Sequence, residues 1–377
     1  MERKIGVFGG TFDPVHVEHQ ALAENVIKEL NLDLLIVVPT FIPPHKTHSE
    51  CADSKHRINM LKLAFDNEKI IISDYEIESG GKSYTYLTLE HFKRVYPNDK
   101  LYFILGEDML IDFKTWRNPK RITELCDIAA FRREGYQGDH KKEREYFLTN
   151  FGKEYILLNY VGKKVSSTKI RVYASFMLPI PDVAPKVEEY IQENLVYPTT
   201  PISDIVRINL SLKRLKHTAN VVTCALKKVK ELNLDREKVI TACSLHDVAK
   251  YMGVNDFPLD VLPKNMVKPV AHAYLGEYYA RVKLGITDQD VLNAIKYHTS
   301  GRANMSTLEK LVFVADMIEE ERDYDGVEEL RNLYETATLD QCFIKCLEEE
   351  MIHLKNKGNT IYEKTIEAYN YYVKEKK

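Results

Sequence analysis

Two histidines three residues apart, His16 and His19, follow the turn Gly9-Gly10-Thr11-Phe12-Asp13-Pro14 at the end of the apolar run Ile5-Gly6-Val7-Phe8. Glycine at both turn positions lets the backbone approach an anion closely. Ala21 to Leu30 has helical character, so the two imidazoles stand at a helix start and share one face. The free N–H groups and dipole of that helix end favour phosphate. The chemistry indicated is phosphate handling: Gly9, Gly10, Thr11 and Phe12 shape a cradle, and His16 and His19 face the β- and γ-phosphates of a nucleoside triphosphate. A glycine turn alone would be an ordinary strand–turn–helix. The complete string, with His-x-x-His, gives the functional reading.

A second phosphate signal lies about 150 residues on, where Val165-Ser166-Ser167-Thr168-Lys169-Ile170-Arg171 places hydroxyls before a basic helix start. Hydroxyls and N-terminal amides bind phosphate, and Arg171 supplies a clamp. The second half of the chain carries a different chemistry. His217, His246-Asp247, His272, His298 and Asp316 are separated by 29, 26, 26 and 18 residues, each in a helical context. Five helices would then point ligand-type side chains into one bundle interior. Imidazole with carboxylate suits iron, manganese, zinc or nickel better than magnesium or calcium.

These groups need elements to position them. Leu34–Pro39, Ile70–Ser73, Leu101–Gly106, Ile128–Phe131 and Tyr155–Leu158 are apolar runs separated by helical stretches. That alternation predicts an α/β parallel sheet covered on both faces, with ligands beyond the carboxyl ends of its strands. The texture changes after Tyr197-Pro198-Thr199-Thr200-Pro201, a plausible hinge. Beyond it helical patterns dominate, including Thr241–Lys250, Val291–His298 and Leu308–Glu320. Two domains are expected, residues 1–197 and an all-α bundle over residues 198–377.

Composition bounds the partners. The 377 residues are 44% hydrophobic, enough for full cores, and the net charge of −3 gives no basic footprint for nucleic acid. No apolar run approaches the ~18 residues that span a bilayer. Met1-Glu2-Arg3-Lys4 leads straight into the first strand, so no signal peptide is expected. The six cysteines form no Cys-x-x-Cys pair, and Cys342 and Cys346 read as one buried helix face. A reduced cytoplasmic protein is the expectation, without membrane or nucleic-acid partners, and with self-association left open.

The two phosphate motifs together resemble those of the nicotinate-mononucleotide adenylyltransferases, in the nucleotidyltransferase superfamily. The likeness extends over roughly residues 4–195. Glu18 stands where the family usually has glycine between the histidines, and Val165 where it has isoleucine. The resemblance implies transfer of AMP from ATP, with Mg²⁺, to nicotinate mononucleotide, giving nicotinate adenine dinucleotide and pyrophosphate. His16, His19, Lys46 and Arg171 would hold the triphosphate. His45, Ser83, Tyr84, Thr85, Gly106, Asp108, Trp116, Ser167 and Thr168 would contact nucleotide or pyridine. Arg132-Arg133-Glu134-Gly135 replaces the family's Arg-Pro-Gly, which leaves open whether Arg132 or Arg133 carries that role; Arg133 is taken as the candidate substrate contact. Pantetheine phosphate or flavin mononucleotide is the rival acceptor.

The order His…His-Asp…His…His…Asp resembles the HD phosphohydrolases. Ser244–Lys250, Ala294–Arg302 and Val314–Asp316 narrow the likeness to the symmetrical diadenosine tetraphosphate hydrolases. This implies two metals, with iron foremost. His217, His246, Asp247 and Asp316 would hold one, and His272 and His298 the other, bridged by Asp247. Lys250 and Arg302 would hold phosphate, and the products would be two ADP. The alternatives are another HD nucleotide phosphohydrolase, or a regulatory module that binds nucleotide without cleaving it.

Overall fold

The computed structural model describes residues 2–41, 51–136, 138–258 and 260–374. The chain divides into two compact units. One runs up to Arg171 and includes Pro179–Tyr197; the other runs from Pro198 onward and includes Val172–Leu178.

The first unit is built on six strands: β1 (Lys4–Gly10), β2 (Leu34–Pro39), β3 (Ile70–Ile72), β4 (Lys100–Gly106), β5 (Asp127–Arg133) and β6 (Ile156–Gly162). They lie in the order β3-β2-β1-β4-β5-β6, every neighbouring pair parallel. This is the expected α/β sheet. Ile5, Leu35, Ile36, Val37, Val38, Ile104 and Ala129 are buried, as central parallel strands covered on both faces require. A Cβ on Gly6 would fall 2.6 Å from a Leu32 methyl and 2.8 Å from a Leu35 methyl, so glycine is what lets β1 pack there. The expected strand at Tyr155–Leu158 is displaced forward. Tyr155 packs into the core, and β6 alternates in burial like a half-covered edge strand, a pattern that a search for apolar runs misses.

Helices fill the connections: α1 (Val17–Leu30), α2 (Ser54–Ala64), α3 (Tyr75–Ser79), α4 (Thr85–Val95), α5 (Asp108–Asp112), α6 (Pro119–Leu125), α7 (His140–Phe151), α8 (Ser167–Ser175) and α9 (Pro185–Glu193). Strand order reverses between β1 and β4, and in α/β sheets ligands bind beyond the carboxyl ends of the strands at such a switch point. Gly9-Gly10 ends β1 and Gly106 ends β4, which puts the predicted glycine turn and the predicted contact Gly106 at that switch point.

The second unit has helices and no strand among its described residues: α10 (Pro201–Asn209), α11 (Leu212–Leu226), α12 (Arg236–Leu245), α13 (Lys268–Tyr278), α14 (Gln289–Tyr297), α15 (Thr307–Ile318), α16 (Val327–Thr336), α17 (Leu339–Asn356) and α18 (Glu363–Tyr369). Its core joins Val221, Ala225, Leu245, Ile295, Leu311, Phe313 and Phe343, with Val172, Tyr173, Phe176 and Leu178 from the earlier segment. Cys342 and Cys346 are both buried in it. The helix expected over Thr241–Lys250 instead ends at Leu245, and residues 246–250 form turns. No helix among the described residues is long and apolar enough to cross a membrane.

Candidate functional site

In the first unit the site is built from loop ends. His16 is the N-cap of α1 and stacks on His19, with ring centroids 3.7 Å apart. The His16 backbone N–H donates to His19 Nδ1 at 3.2 Å. A neutral His19 therefore carries its proton on Nε2, as a donor toward a ligand. Burial first, then the Arg133 charge, pushes His16 down to about 4. Burial, then His16 and Arg133, holds His19 well below its ordinary value. Both rings are neutral at pH 7, so they offer phosphate hydrogen bonds rather than charge. A Cβ on Gly10 would fall 2.8 Å from the Phe12 ring, which keeps that turn tight.

Arg133 supplies the positive charge. Its Nε lies 2.9 Å from Asp108 Oδ1, and its guanidinium covers the Phe131 ring. Of the two arginines at the end of β5, Arg133 is the one whose charge reaches His16 and His19. Arg171 is turned onto the phosphate loop: its Nη1 donates to the Asp13 carbonyl at 2.7 Å and its Nη2 to Thr168 Oγ1 at 3.2 Å. Ser166 Oγ accepts from Lys169 N, so Ser166 does the capping and Ser167 and Thr168 lie in the first turn of α8. Ser83 Oγ accepts from Phe41 N at 3.0 Å, while Tyr84 and Thr85 open α4, with Arg117 over the Tyr84 ring. Trp116 packs against Phe113 and Phe103 at the edge of the core. Glu18 accepts from the Tyr160 hydroxyl at 2.6 Å, which accounts for a carboxylate between the two histidines. His45 and Lys46 lie outside the described residues.

Arg57 was invisible as a site residue in the sequence. It is 2% exposed on α2. It donates to the carbonyls of Thr11 at 2.9 Å, Thr40 at 2.7 Å, Ala52 at 3.1 Å and Phe41 at 3.3 Å. One guanidinium thus pins the phosphate loop, the end of β2 and both flanks of the stretch that carries His45 and Lys46. Charge-assisted bonds of this kind are worth about 1.5–3 kcal/mol each. Arg57→Ala should cost about 3 kcal/mol or more in denaturant unfolding of the first unit. A loss within 0.5 kcal/mol would show that the loop holds itself.

In the second unit the predicted ligands converge. His217 comes from α11, His272 from α13 and Asp316 from α15; His246 and His298 are the C-caps of α12 and α14. Asp247 is 2% exposed and its two oxygens face different groups. Oδ2 lies 3.6 Å from His246 Nε2 and 3.9 Å from His217 Nε2. Oδ1 lies 3.0 Å from His272 Nε2 and 3.8 Å from His298 Nε2. His217 Nε2 is 3.0 Å from Asp316 Oδ1. Two sets have all their ligand atoms within 4.8 Å of one another: His217, His246 and Asp316; and His246, Asp247 and His298.

The tautomers show that a cation fits there. His246 Nδ1 faces the Cys243 carbonyl at 2.6 Å, and His298 Nδ1 faces the Ile295 carbonyl at 2.8 Å. Each carbonyl belongs to the last helical turn, where orphan acceptors are available. His217 Nδ1 faces Glu319 Oε1 at 3.0 Å. All three Nδ1 atoms are therefore donors, and their Nε2 lone pairs point inward. The Nε2 atoms of His217 and His246 stand 3.3 Å apart, and those of His272 and His298 3.2 Å apart. Between His217 and His246 the facing nitrogens repel unless a cation or a proton sits among them, and on the other side Lys250 Nζ lies 3.2 Å from His272 Nε2. Asp247 Oδ1 is also buried without a well-formed hydrogen bond, although His272 Nε2 lies at ion-pair distance. Burial, then His246 and His272, pushes His298 down to about 3. Burial opposes ionisation of Asp247, but His246 and His272 hold it well below the carboxylate range; Arg322 and His217 do so for Asp316. Burial opposes it, but Asp316 and Glu319 hold His217 above its ordinary value, so a metal binding there must displace that proton; neutral imidazoles and ionised carboxylates are the forms that bind metal.

The ligands open onto a cavity of about 830 Å³, large enough for a nucleotide. Lys250 lines it, with Nζ 3.5 Å from Asp247 Oδ1. Arg302 is placed differently from its expected role. It makes a two-point ion pair with the fully buried Glu309, at 2.7 and 2.8 Å, and does not line the cavity. The cations presented there besides Lys250 are Arg214, 2.8 Å from Asp247 Oδ2, and Arg322, paired with Asp316. Both went unnoticed in the sequence, as did Glu319. Arg214 and Glu319 lie three residues from a ligand on the same helix course, and that spacing was the available signal. Glu319→Ala should weaken metal binding about 10–100-fold in titration of the folded protein. Unchanged affinity would mean that His217 is oriented by its packing alone.

Residues 7–172 match the cytidylyltransferase-like family and residues 214–321 the HD domain. The chain is 40% identical over 171 residues to a probable nicotinate-nucleotide adenylyltransferase of Clostridium novyi, covering 45% of this chain and 86% of that one. It is 27% identical over 329 residues to a Mycoplasma genitalium protein named probable nicotinate-nucleotide adenylyltransferase/Ap4A hydrolase, covering 85% and 89%. A crystal structure described as a predicted HD superfamily hydrolase involved in NAD metabolism, from Clostridium acetobutylicum, is 34% identical with a TM-score of 0.41, covering 46% of this chain and 96% of that one. Over its first half the chain belongs to the nicotinate-nucleotide adenylyltransferase family, and its second half carries an HD domain.

Proposed function

We propose that this is a bifunctional enzyme, with residues 1–197 and 198–377 as its two catalytic domains. The first transfers AMP from ATP to nicotinate mononucleotide. The second splits diadenosine tetraphosphate symmetrically into two ADP. The observation that carries the pairing is Asp247: one carboxylate divided between two histidine groups, in a chain whose first half belongs to an adenylyltransferase family.

Adenylyl transfer needs little acid–base help. A phosphate oxygen of the mononucleotide attacks the α-phosphorus of ATP, the bond to the β-phosphate bridging oxygen breaks, and pyrophosphate leaves. Catalysis is positioning and charge stabilisation. His16 and His19 donate to the departing phosphates, Arg133 faces them with its charge, and Lys46 and Arg171 complete the clamp. Ser83, Tyr84, Thr85, Asp108 and Trp116 hold the nucleotide and pyridine parts. Mg²⁺ arriving with ATP would offset phosphate charge.

In the second domain, water attacks one central phosphorus and ADP leaves from the other side. His217, His246, Asp247, His272, His298 and Asp316 would hold the metals, whose chemistry there would be to lower the pKa of a water and to offset phosphoryl charge. Iron is the metal the family likeness favours, and the imidazole–carboxylate set also suits manganese, zinc or nickel. Lys250, Arg214 and Arg322 bring positive charge to the cavity wall for the phosphate chain. The acceptor is tested by supplying labelled ATP with nicotinate mononucleotide, nicotinamide mononucleotide and pantetheine phosphate. Dinucleotide formed fastest from nicotinate mononucleotide is the expected result; preference for pantetheine phosphate would overturn the assignment.

A further inference from the structure

The first unit buries a carboxylate for which adenylyl transfer has no direct use. Glu107 follows Gly106 at the end of β4 and is 3% exposed. A carboxylate taken out of water is costly unless donors meet its oxygens. Here both oxygens are met: Oε1 accepts the Arg133 backbone N–H, and Oε2 lies 3.0 Å from His140 Nε2. The β4–β5 pairing stops at Gly106 opposite Phe131, so the Arg133 N–H lies past the end of β4. The Glu107 side chain supplies the acceptor that the strand no longer does. Its own N–H donates to the Phe131 carbonyl at 2.9 Å, which holds it beside the end of β5.

His140 opens α7 and is itself anchored. With its Nε2–H toward Glu107, a neutral ring offers Nδ1 as acceptor, and the hydroxyl of the buried Tyr155 lies 2.9 Å from that nitrogen. Glu143, one turn on, stands 3.4 Å from the same nitrogen and accepts from the Tyr136 hydroxyl.

Three consecutive residues thus converge on Arg133. A Cβ on Gly106 would fall 2.6 Å from Arg133 Nε, so glycine leaves the guanidinium its room. Glu107 takes the backbone N–H. Asp108 takes the side chain, 2.9 Å from Nε. The Asp108 contact is too open to fix the arginine alone, because the two side chains are 45% and 54% exposed and such ion pairs contribute little in water. The Glu107 bond is buried and charge-assisted, which is the stronger class.

We propose that Glu107 is a positioning residue of the adenylyl-transfer site: its carboxylate fixes the Arg133 backbone so that the guanidinium faces the triphosphate, and His140, steadied by Tyr155, holds that carboxylate in place. This rests on the reading of Arg133 as the charge that faces the phosphates. Glu107 stays behind the site and acts through Arg133.

The test is steady-state AMP transfer to nicotinate mononucleotide by the full chain. The variants are Glu107→Ala, Glu107→Gln, His140→Ala and Arg133→Ala, with Glu107→Ala and His140→Ala each also combined with Arg133→Ala. Glu107→Ala should lower kcat/KM for ATP by about tenfold to a hundredfold, since small misplacements of a positioning group cost that much. Glu107→Gln keeps the shape and an oxygen for the Arg133 N–H, so it should recover most of the loss. His140→Ala changes a side chain that is 32% exposed, where folding is not at stake, and should lower the rate in the same direction by less. Neither substitution should slow the Arg133→Ala protein further, because both act through Arg133. Glu107→Ala and His140→Ala within twofold of wild type, or losses that multiply with that of Arg133→Ala, would overturn the positioning role while Arg133 keeps its own. Arg133→Ala within twofold of wild type would remove the Arg133 reading and the positioning role together. Transfer to a different acceptor with the same non-additive pattern would change the acceptor and keep the role.

Discussion

Asp247→Ala is expected to abolish tetraphosphate hydrolysis, by about three orders of magnitude or more, while AMP transfer stays within about twofold of wild type. The size follows from position. Among the described residues, Asp247 is the one carboxylate within 4 Å of all four clustered histidines, His217, His246, His272 and His298. Its removal leaves inward lone pairs with one carboxylate, Asp316, to balance a bound cation. It also leaves Arg214 without its partner at 2.8 Å. The selectivity follows from organisation, because Asp247 belongs to a different compact unit from His16 and His19. Metal content per chain should fall together with hydrolysis. Loss of both activities in a variant that still folds would refute two independent sites. Asp247→Asn sharpens the result: it keeps shape and one oxygen but halves the ligand capacity, so hydrolysis should still be lost.

The second large effect is at His19. Its Nε2–H is fixed as a donor because Nδ1 accepts the His16 backbone N–H. Removing one preorganised donor from developing phosphate charge costs about 10²–10³ in kcat. His19→Ala should therefore lower AMP transfer by about that factor, with hydrolysis of the tetraphosphate unchanged. His19→Asn, whose amide also donates, should recover part of the loss. An alanine variant within a few fold of wild type would mean that the loop amides and Arg133 carry the charge, and that the His-x-x-His pair is structural. The lowered values of both rings also predict a sign. A buried neutral histidine is protonated more readily in the unfolded chain. Stability gained from keeping His16 neutral is present above its ordinary value of 6.5 and is lost as pH falls from there toward about 4.

Much of this was legible in the sequence because the chemistry depends on residue type and spacing. The Gly9-Gly10 turn, the His16/His19 pair and the six candidate metal ligands are discrete signals, and the structure brings each group together. The apolar runs of β1, β2, β4 and β5 read as buried strands because both faces are covered. β6 was misplaced, since a half-exposed edge strand has no continuous run. The end of α12 was misplaced for a related reason: residues 246–250 remain helical in composition, yet the chain turns there to aim His246 and Asp247 inward. What sequence could not give was the supporting layer. Arg57 looks like any surface arginine until its four carbonyl partners are seen. Arg302 reads as a phosphate ligand by its neighbourhood, but the buried Glu309 claims it. Arg214 and Glu319 could have been found by stepping three residues from a ligand along its helix, whereas Arg322 lies past the end of α15 and gave no such signal.

The most direct measurement is chromatography of the products formed from diadenosine tetraphosphate by the full chain, loaded anaerobically with iron or manganese. ADP as the sole nucleotide product from wild type, with none from Asp247→Ala, is the predicted result. ATP with AMP, or no turnover with either metal, would contradict a symmetrical hydrolase and leave the second unit with another substrate.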